Sequence, residues 1–199
     1  MIDKNAEIGS DRRPAIIICA YDLGEAAWDP VEDLSGQPWS PPGARTVAVS
    51  AREPDELAAL LSRHLRDRDC RAVLLVGHNR RSEAFRLQMR AENRALTGGA
   101  KLTRTGPAVA RATAPIADMV RALHDAGLAA DASSDGEEDV GDYLLYSLLA
   151  DLSDDADAPA IGLLRAPSDI SLSTVQKGVK AAAGAIARHL SPLPHARHS

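Results

Sequence analysis

Two groups of residues in this chain have side chains suited to chemistry. The first lies in Ser133–Leu152 (S-S-D-G-E-E-D-V-G-D-Y-L-L-Y-S-L-L-A-D-L), where Asp135, Glu137, Glu138, Asp139 and Asp142 run straight into a Leu-rich repeat. Carboxylates crowded in a loop are the ligand type for a hard cation. The alternating spacing and central glycine of a calcium loop are missing, however, and acidic side chains also suit the positive end of a helix. A solvated, helix-capping loop is therefore the expectation. The loop holds no Cys or His, and after Ser134 no Ser or Thr, so it supplies no nucleophile. The second group is Cys19 and His78, each at the end of an apolar run. In open α/β sheets ligands bind at strand ends. A Cys–His pair completed by Asp22 or Asp135 is the equipment for acyl transfer. Cys19 reads first as a small core side chain, and His78 too reads first as a structural residue.

The remaining candidates carry less. His64 and His124 fall on helical repeats and are expected in solvent. His189 sits near a helix end that welcomes a cation, and His195 and His198 lie in a polar tail. Cys70, beside Asp69, has no catalytic neighbour in sequence. The chain has no G-x-G-x-x-G, P-loop, G-x-S-x-G or H-E-x-x-H pattern. No metal or cofactor is expected.

The elements that must position these residues follow from hydrophobic patterning. With 199 residues the chain fits one domain, large enough to bury a core without disulfides or metals. Hydrophobic residues make up 45 % but aromatics only 3 %, so the core must be built from Ala, Leu, Val and Ile. A net charge of −5 argues against general nucleic-acid binding, which needs a basic face. Two cysteines make no disulfide framework. Neither a membrane-length apolar stretch nor a signal pattern is visible, and a cytoplasmic protein is expected.

Pro14–Ala20, Arg71–Gly77 and Ala160–Leu164 read as buried strands, and Thr46–Ser50 as another strand. Phe85–Glu92 and Leu128–Ala132 are further strands. Pro54–Leu65 is a helix with Leu57, Leu60, Leu61 and Leu65 on one face. A second helix starts at Pro115, with Ile116, Met119, Val120 and Leu123 inward, and ends at Gly127. The Leu144–Leu152 repeat is a third, and Leu172–Leu190 a fourth. Tyr21–Gly43 is a long loop with Trp28 and Trp39 as anchors, and Gly98-Gly99 and Gly106-Pro107 bracket another. Residues 1–13 and 191–199 are expected as tails around one domain spanning 14–190. Strands alternating with helices imply right-handed crossovers and a mostly parallel sheet covered on both faces.

The order of several short segments resembles pyroglutamyl peptidase I, the cysteine peptidase family that removes an N-terminal pyroglutamate. Cys19–Gly24 with Asp29-Pro30 is similar to that family's G-F-x-P-F-G and N-P. Gly77–Ser82 followed by Gln88–Asn93 is similar to G-Q-A-G-G-R and E-R-x-A-x-N, and Thr105–Pro115 to D-G-P-x-x-Y-x-S-T-L-P. Gly141–Leu149 resembles C-N-H-x-x-Y-x-L-L, Leu163–Pro167 resembles F-I-H-V-P, and Asp169–Thr174 resembles S-M-S-L-x-T. The likeness runs from about Ala15 to Leu190.

The resemblance implies a three-layer α/β fold, with a mostly parallel twisted sheet between helices. It also implies that the Cys, His and Glu of that family fall on Gly141, Arg165 and Gln88. Glycine has no nucleophile, arginine stays protonated, and glutamine carries no charge. The aromatic clamp is reduced to Ala20 and Leu23, and the paired glycines are Arg80 and Arg81. The expectation is a catalytically degenerate relative acting as a binding or interaction module. Arg165, Arg80, Arg81 and Asp142 are its candidate binding residues, and a small anion or a protein its partner. Arg165 is expected either in an internal ion-pair network with Asp135, Glu138 or Asp142, or as a bidentate anion holder. The alternative is a cysteine-type hydrolase with its site relocated to Cys19 and His78. Self-association, frequent in the resembled family, is a further expectation.

Overall fold

The computed structural model describes residues 11–22, 39–97, 100–152 and 157–190. The tails beyond these bounds, Leu23, Trp28, Asp29-Pro30 and Gly98-Gly99 lie outside the described residues. Twelve elements run in the order β1 (Ala15–Ala20), β2 (Arg45–Ser50), α1 (Pro54–Leu65), β3 (Cys70–Asn79), β4 (Phe85–Gln88), β5 (Arg90–Glu92), β6 (Val109–Arg111), α2 (Ile116–Asp125), β7 (Ala130–Ser133), α3 (Val140–Ala150), β8 (Ala160–Pro167) and α4 (Leu172–Leu190).

Six strands form one sheet in the order β2-β1-β3-β8-β4-β7. The first four are mutually parallel, while β4 runs antiparallel to β8 and parallel to β7. The central pair β3 and β8 are apolar almost throughout and nearly wholly buried, as strands with both faces covered must be. One face packs Ile16, Ile18, Leu74, Val76 and Leu164 against Met119 of α2 and Val175, Val179 and Ile186 of α4. The other packs Ile17, Cys19, Val73, Leu75 and Leu163 against Leu57 and Leu61 of α1 and the Leu-rich side of α3. The fold is thus α/β, a mostly parallel sheet between two helical layers.

Local chemistry accounts for the helix ends. Pro54 begins α1, with Asp55 and Glu56 in the first turn and Arg63 and His64 in the last, matching the helix dipole. Gly127 follows α2 with φ +73°, the left-handed stop that glycine adopts without strain. The Ala-rich α4 packs on α2, β3 and β8.

The expected single strand over Phe85–Glu92 is two strands. At Met89 the chain leaves the main sheet: Met89 N still bonds Ser133 O at 2.8 Å, while Met89 O accepts from Ala112 N at 3.0 Å. Beyond it β5 joins β6 in a separate antiparallel ribbon. Strand β6, three residues long with one buried side chain, has no apolar run to announce it. Strands β3 and β8 each outrun their apolar cores, to Asn79 and Pro167, and among the extra residues Asn79 and Arg165 are polar groups that the fold buries. Among the described residues no helix is long and apolar enough to cross a membrane.

Candidate functional site

The extension of β8 places Arg165 at the C-terminal end of the parallel strands, beside Gly77 of β3. It shares a face with Leu163 and so points toward α3. It is fully buried. Its Nε donates to Gln88 Oε1 at 3.1 Å. Its two terminal nitrogens grip Asp139 in the bidentate fork that guanidinium offers, at 2.5 and 2.9 Å. Nη1 also donates to Tyr21 Oη at 3.4 Å and lies 3.6 Å from Glu137 Oε2. Burial pushes the guanidinium's pKa down, but its hydrogen bonds to Asp139 and the charges around it outweigh that and hold it above its ordinary value.

Asp139 is also the N-cap of α3, accepting from Asp142 N at 3.0 Å. One carboxylate thus starts the helix and anchors the strand opposite. Gln88 continues the chain of bonds: its Nε2 donates to Asp142 Oδ1 at 2.5 Å and to Arg90 O at 2.9 Å. Asp142 Oδ2 accepts from Glu92 N at 3.2 Å. The main sheet, α3 and the β5–β6 ribbon are joined through this one network.

Tyr21 closes it from above. A Cβ on Gly141 would lie 2.1 Å from Tyr21 Oη and 3.1 Å from Arg165 Nη2, and one on Gly77 would lie 2.2 Å from the same hydroxyl. The phenol therefore occupies the space that any side chain at position 141 would need. Burial raises the Tyr21 pKa, and Arg165 offsets only part of that rise.

The structure brings Gln88, Gly141 and Arg165 together, but it corrects their expected partners. Arg165 meets Asp139 and Glu137, not Asp135, Glu138 or Asp142. Glu138 instead pairs with Arg94, and Asp135 is exposed. Arg165 and Asp142, proposed from sequence as ligand-binding groups, are 0 % and 6 % exposed and are occupied by internal partners. The acidic loop is not simply solvated, since Glu137 is 8 % exposed. The Cys19–His78 pairing does not form. Cys19 sits opposite Leu75, three positions before His78, so the two side chains leave the sheet on opposite faces. Burial drives the Cys19 thiol up to about 12 and the Cys70 thiol to about 11, far from thiolate chemistry.

His78 is half-buried and faces Asp22, with Nδ1 3.7 Å from Oδ2, and Arg80 lies 4.0 Å from the same oxygen. Arg80 and Arg81 are exposed. These residues, with Tyr21 and the 136–140 segment, line a cleft of about 480 Å³ above the buried network. Among the described residues no group of three or more His, Cys, Asp or Glu side chains is placed to hold a metal ion.

Burial raises the Asp142 carboxyl from 3.8 to about 6, against the Glu92 N–H, Arg165 and Gln88, which favour its ionised form. A carboxyl raised in the folded state binds its proton more tightly there than in the unfolded chain. Its contribution to stability is present below about pH 4 and is lost as pH rises through about 6. A rise of that size corresponds to roughly 3 kcal/mol as an upper bound. The expected result is that unfolding free energy, measured by urea titration, falls with pH more steeply in the parent chain than in Asp142→Asn across that window. Parallel curves would mean that Asp142 binds its proton no more tightly in the folded chain than in the unfolded one.

Two partners in the network had weak sequence signals. Asp139, at the residue before a helical repeat, matches an N-cap pattern, and Tyr21 directly follows a buried strand. Neither signal indicates that the groups converge on Arg165.

No protein-family model and no curated protein sequence matches the chain. Its fold is that of the pyroglutamyl peptidases. It is similar to pyroglutamyl peptidase I from Bacillus amyloliquefaciens at 17 % identity, with a TM-score of 0.71 over 88 % of this chain and 98 % of that one. It is similar to pyrrolidone carboxyl peptidase from Thermus thermophilus at 17 % identity, with a TM-score of 0.68 over 85 % and 98 %. The corresponding enzyme from Thermococcus litoralis is 15 % identical, with a TM-score of 0.72 over 89 % and 94 %.

Proposed function

We propose that this chain is a non-catalytic relative of the pyroglutamyl peptidases that keeps their fold as a binding module, with the cleft over the strand ends as its ligand site. The observation that carries this reading is the closed network at Gln88, Gly141 and Arg165, with the Tyr21 phenol filling the space beside Gly141. A triad needs a nucleophile, a group that accepts its proton, and room for substrate. Here the nucleophile position carries no side chain and the room is taken. The base position holds a guanidinium already bonded to a carboxylate. The groups left to meet a ligand are those on the cleft wall, His78, Arg80 and Arg81, while Arg165 and Asp142 hold the wall in place.

The test is release of a fluorophore from a pyroglutamyl-linked reporter, comparing the parent chain with Cys19→Ser. The expected result is no release above buffer from either. Release by the parent that disappears in Cys19→Ser would overturn the reading in favour of a relocated thiol site, which would require the core around β1 to open.

A further inference from the structure

Glu137 is the residue that the network leaves incompletely satisfied. Arg165 supplies one positive charge. Asp139 takes both terminal nitrogens of its fork, and Glu137 is left with a single contact at 3.6 Å through Oε2. Glu137 is 8 % exposed, and its other oxygen, Oε1, is buried with no hydrogen-bond partner among the described residues. An ionised carboxylate oxygen so placed forgoes the donors it had in water. Glu137 lines the cleft of about 480 Å³, a volume ordinary for small-molecule sites. The side of that cleft formed by the β3 exit is cationic. Arg80 shares Asp22 with His78, and among the described residues the Arg81 guanidinium has no carboxylate partner. A cleft-lining carboxylate with one oxygen short of a donor and, among the described residues, a guanidinium without a carboxylate partner define a ligand with opposite charges at its two ends.

We propose that the cleft binds a small zwitterion, its ammonium donating to Glu137 and its carboxylate meeting Arg81 and Arg80. This rests on the binding-module reading and specifies its ligand class. An ammonium fits better than a metal ion, since the described residues offer no set of three ligands. A charged donor on a buried carboxylate also makes the stronger kind of hydrogen bond.

The test is binding of ω-amino acids to the full chain, followed by NMR shifts of the amides of the 136–140 segment and of residues 78–81. Glycine, β-alanine, γ-aminobutyrate and ε-aminocaproate lengthen the charge separation stepwise. The expected result is saturable binding by at least one member. Its N-acetyl and its amide derivatives should each bind about tenfold more weakly, the ratio that one lost contact of roughly 1.4 kcal/mol produces. Glu137→Gln should abolish the preference for the free amine over the N-acetyl form, and Arg81→Ala the preference for the free acid over the amide. Arg81 is exposed, so its variant reports even if Glu137→Gln does not fold. Absence of binding across the series, or equal binding of the capped forms, would overturn the inference. The reporter assay stands apart: turnover there would overturn the non-catalytic reading instead.

Discussion

Replacing Arg165 with Ala is expected to destabilise the chain by about 3–5 kcal/mol, the range for breaking a buried ion pair from one side. The loss comes less from the pair itself than from what remains. Asp139 would keep its capping bond to Asp142 N but lose both guanidinium bonds. Glu137 would lose the one cation that it meets among the described residues, and Gln88 Oε1 its donor. Urea unfolding of Arg165→Ala, and of the same variant carrying Glu137→Gln, measures this. Removing the second carboxylate's charge should recover part of the loss, because residues in one network do not add independently. A loss below about 1 kcal/mol, the scale of an exposed pair, would show that Arg165 is not held internally. It would return the residue to the role of anion holder expected from sequence.

The second large effect is expected at Gly141. Gly141→Cys restores the residue type that the resembled family uses there, yet it should cost about 1–3 kcal/mol, the penalty for overfilling a packed site. It should release no fluorophore from the pyroglutamyl reporter. The new Cβ would stand 2.1 Å from Tyr21 Oη, so the phenol or the helix start must move. Tyr21→Ala in the same chain should relieve the clash, leaving the double variant more stable than the two single effects predict. Thermal unfolding of the four chains decides this. A Gly141→Cys protein as stable as its parent would mean that the phenol does not fill the space in solution.

These two predictions concern side chains that sequence patterning treats very differently. Arg165 sits inside an otherwise apolar strand, where its charge cut the expected strand short at Leu164. Tyr21 sits past the end of another, and nothing in its sequence neighbourhood marks it as a site residue. What the sequence determined by itself was the periodic part of the molecule. The Ile-rich run of β1, the Val/Leu run of β3, the Leu repeat of α3 and the whole of α4 were legible because a side chain that must leave water leaves a period-two, period-3.6 or continuous apolar trace. Ordered short segments added the family resemblance, and with it the convergence of Gln88, Gly141 and Arg165, three positions spread across more than fifty residues.

Only the tertiary structure decided who satisfies whom. The acidic loop offers five carboxylates within eight positions, and nothing in their order distinguishes Asp139 and Glu137, which reach Arg165, from Asp135, which stays in water, or Glu138, which reaches Arg94. The selection comes from geometry. Capping fixes Asp139 at the first turn of α3, α3 lies against the face of the sheet from which Arg165 emerges, and a buried guanidinium must donate its hydrogen bonds to the carboxylates presented at that point. Strand parity likewise separated Cys19 from His78, a matter of which face each residue occupies once β1 and β3 are in register. Polar pairing depends on a few ångströms and a direction, and neither leaves a period in the chain.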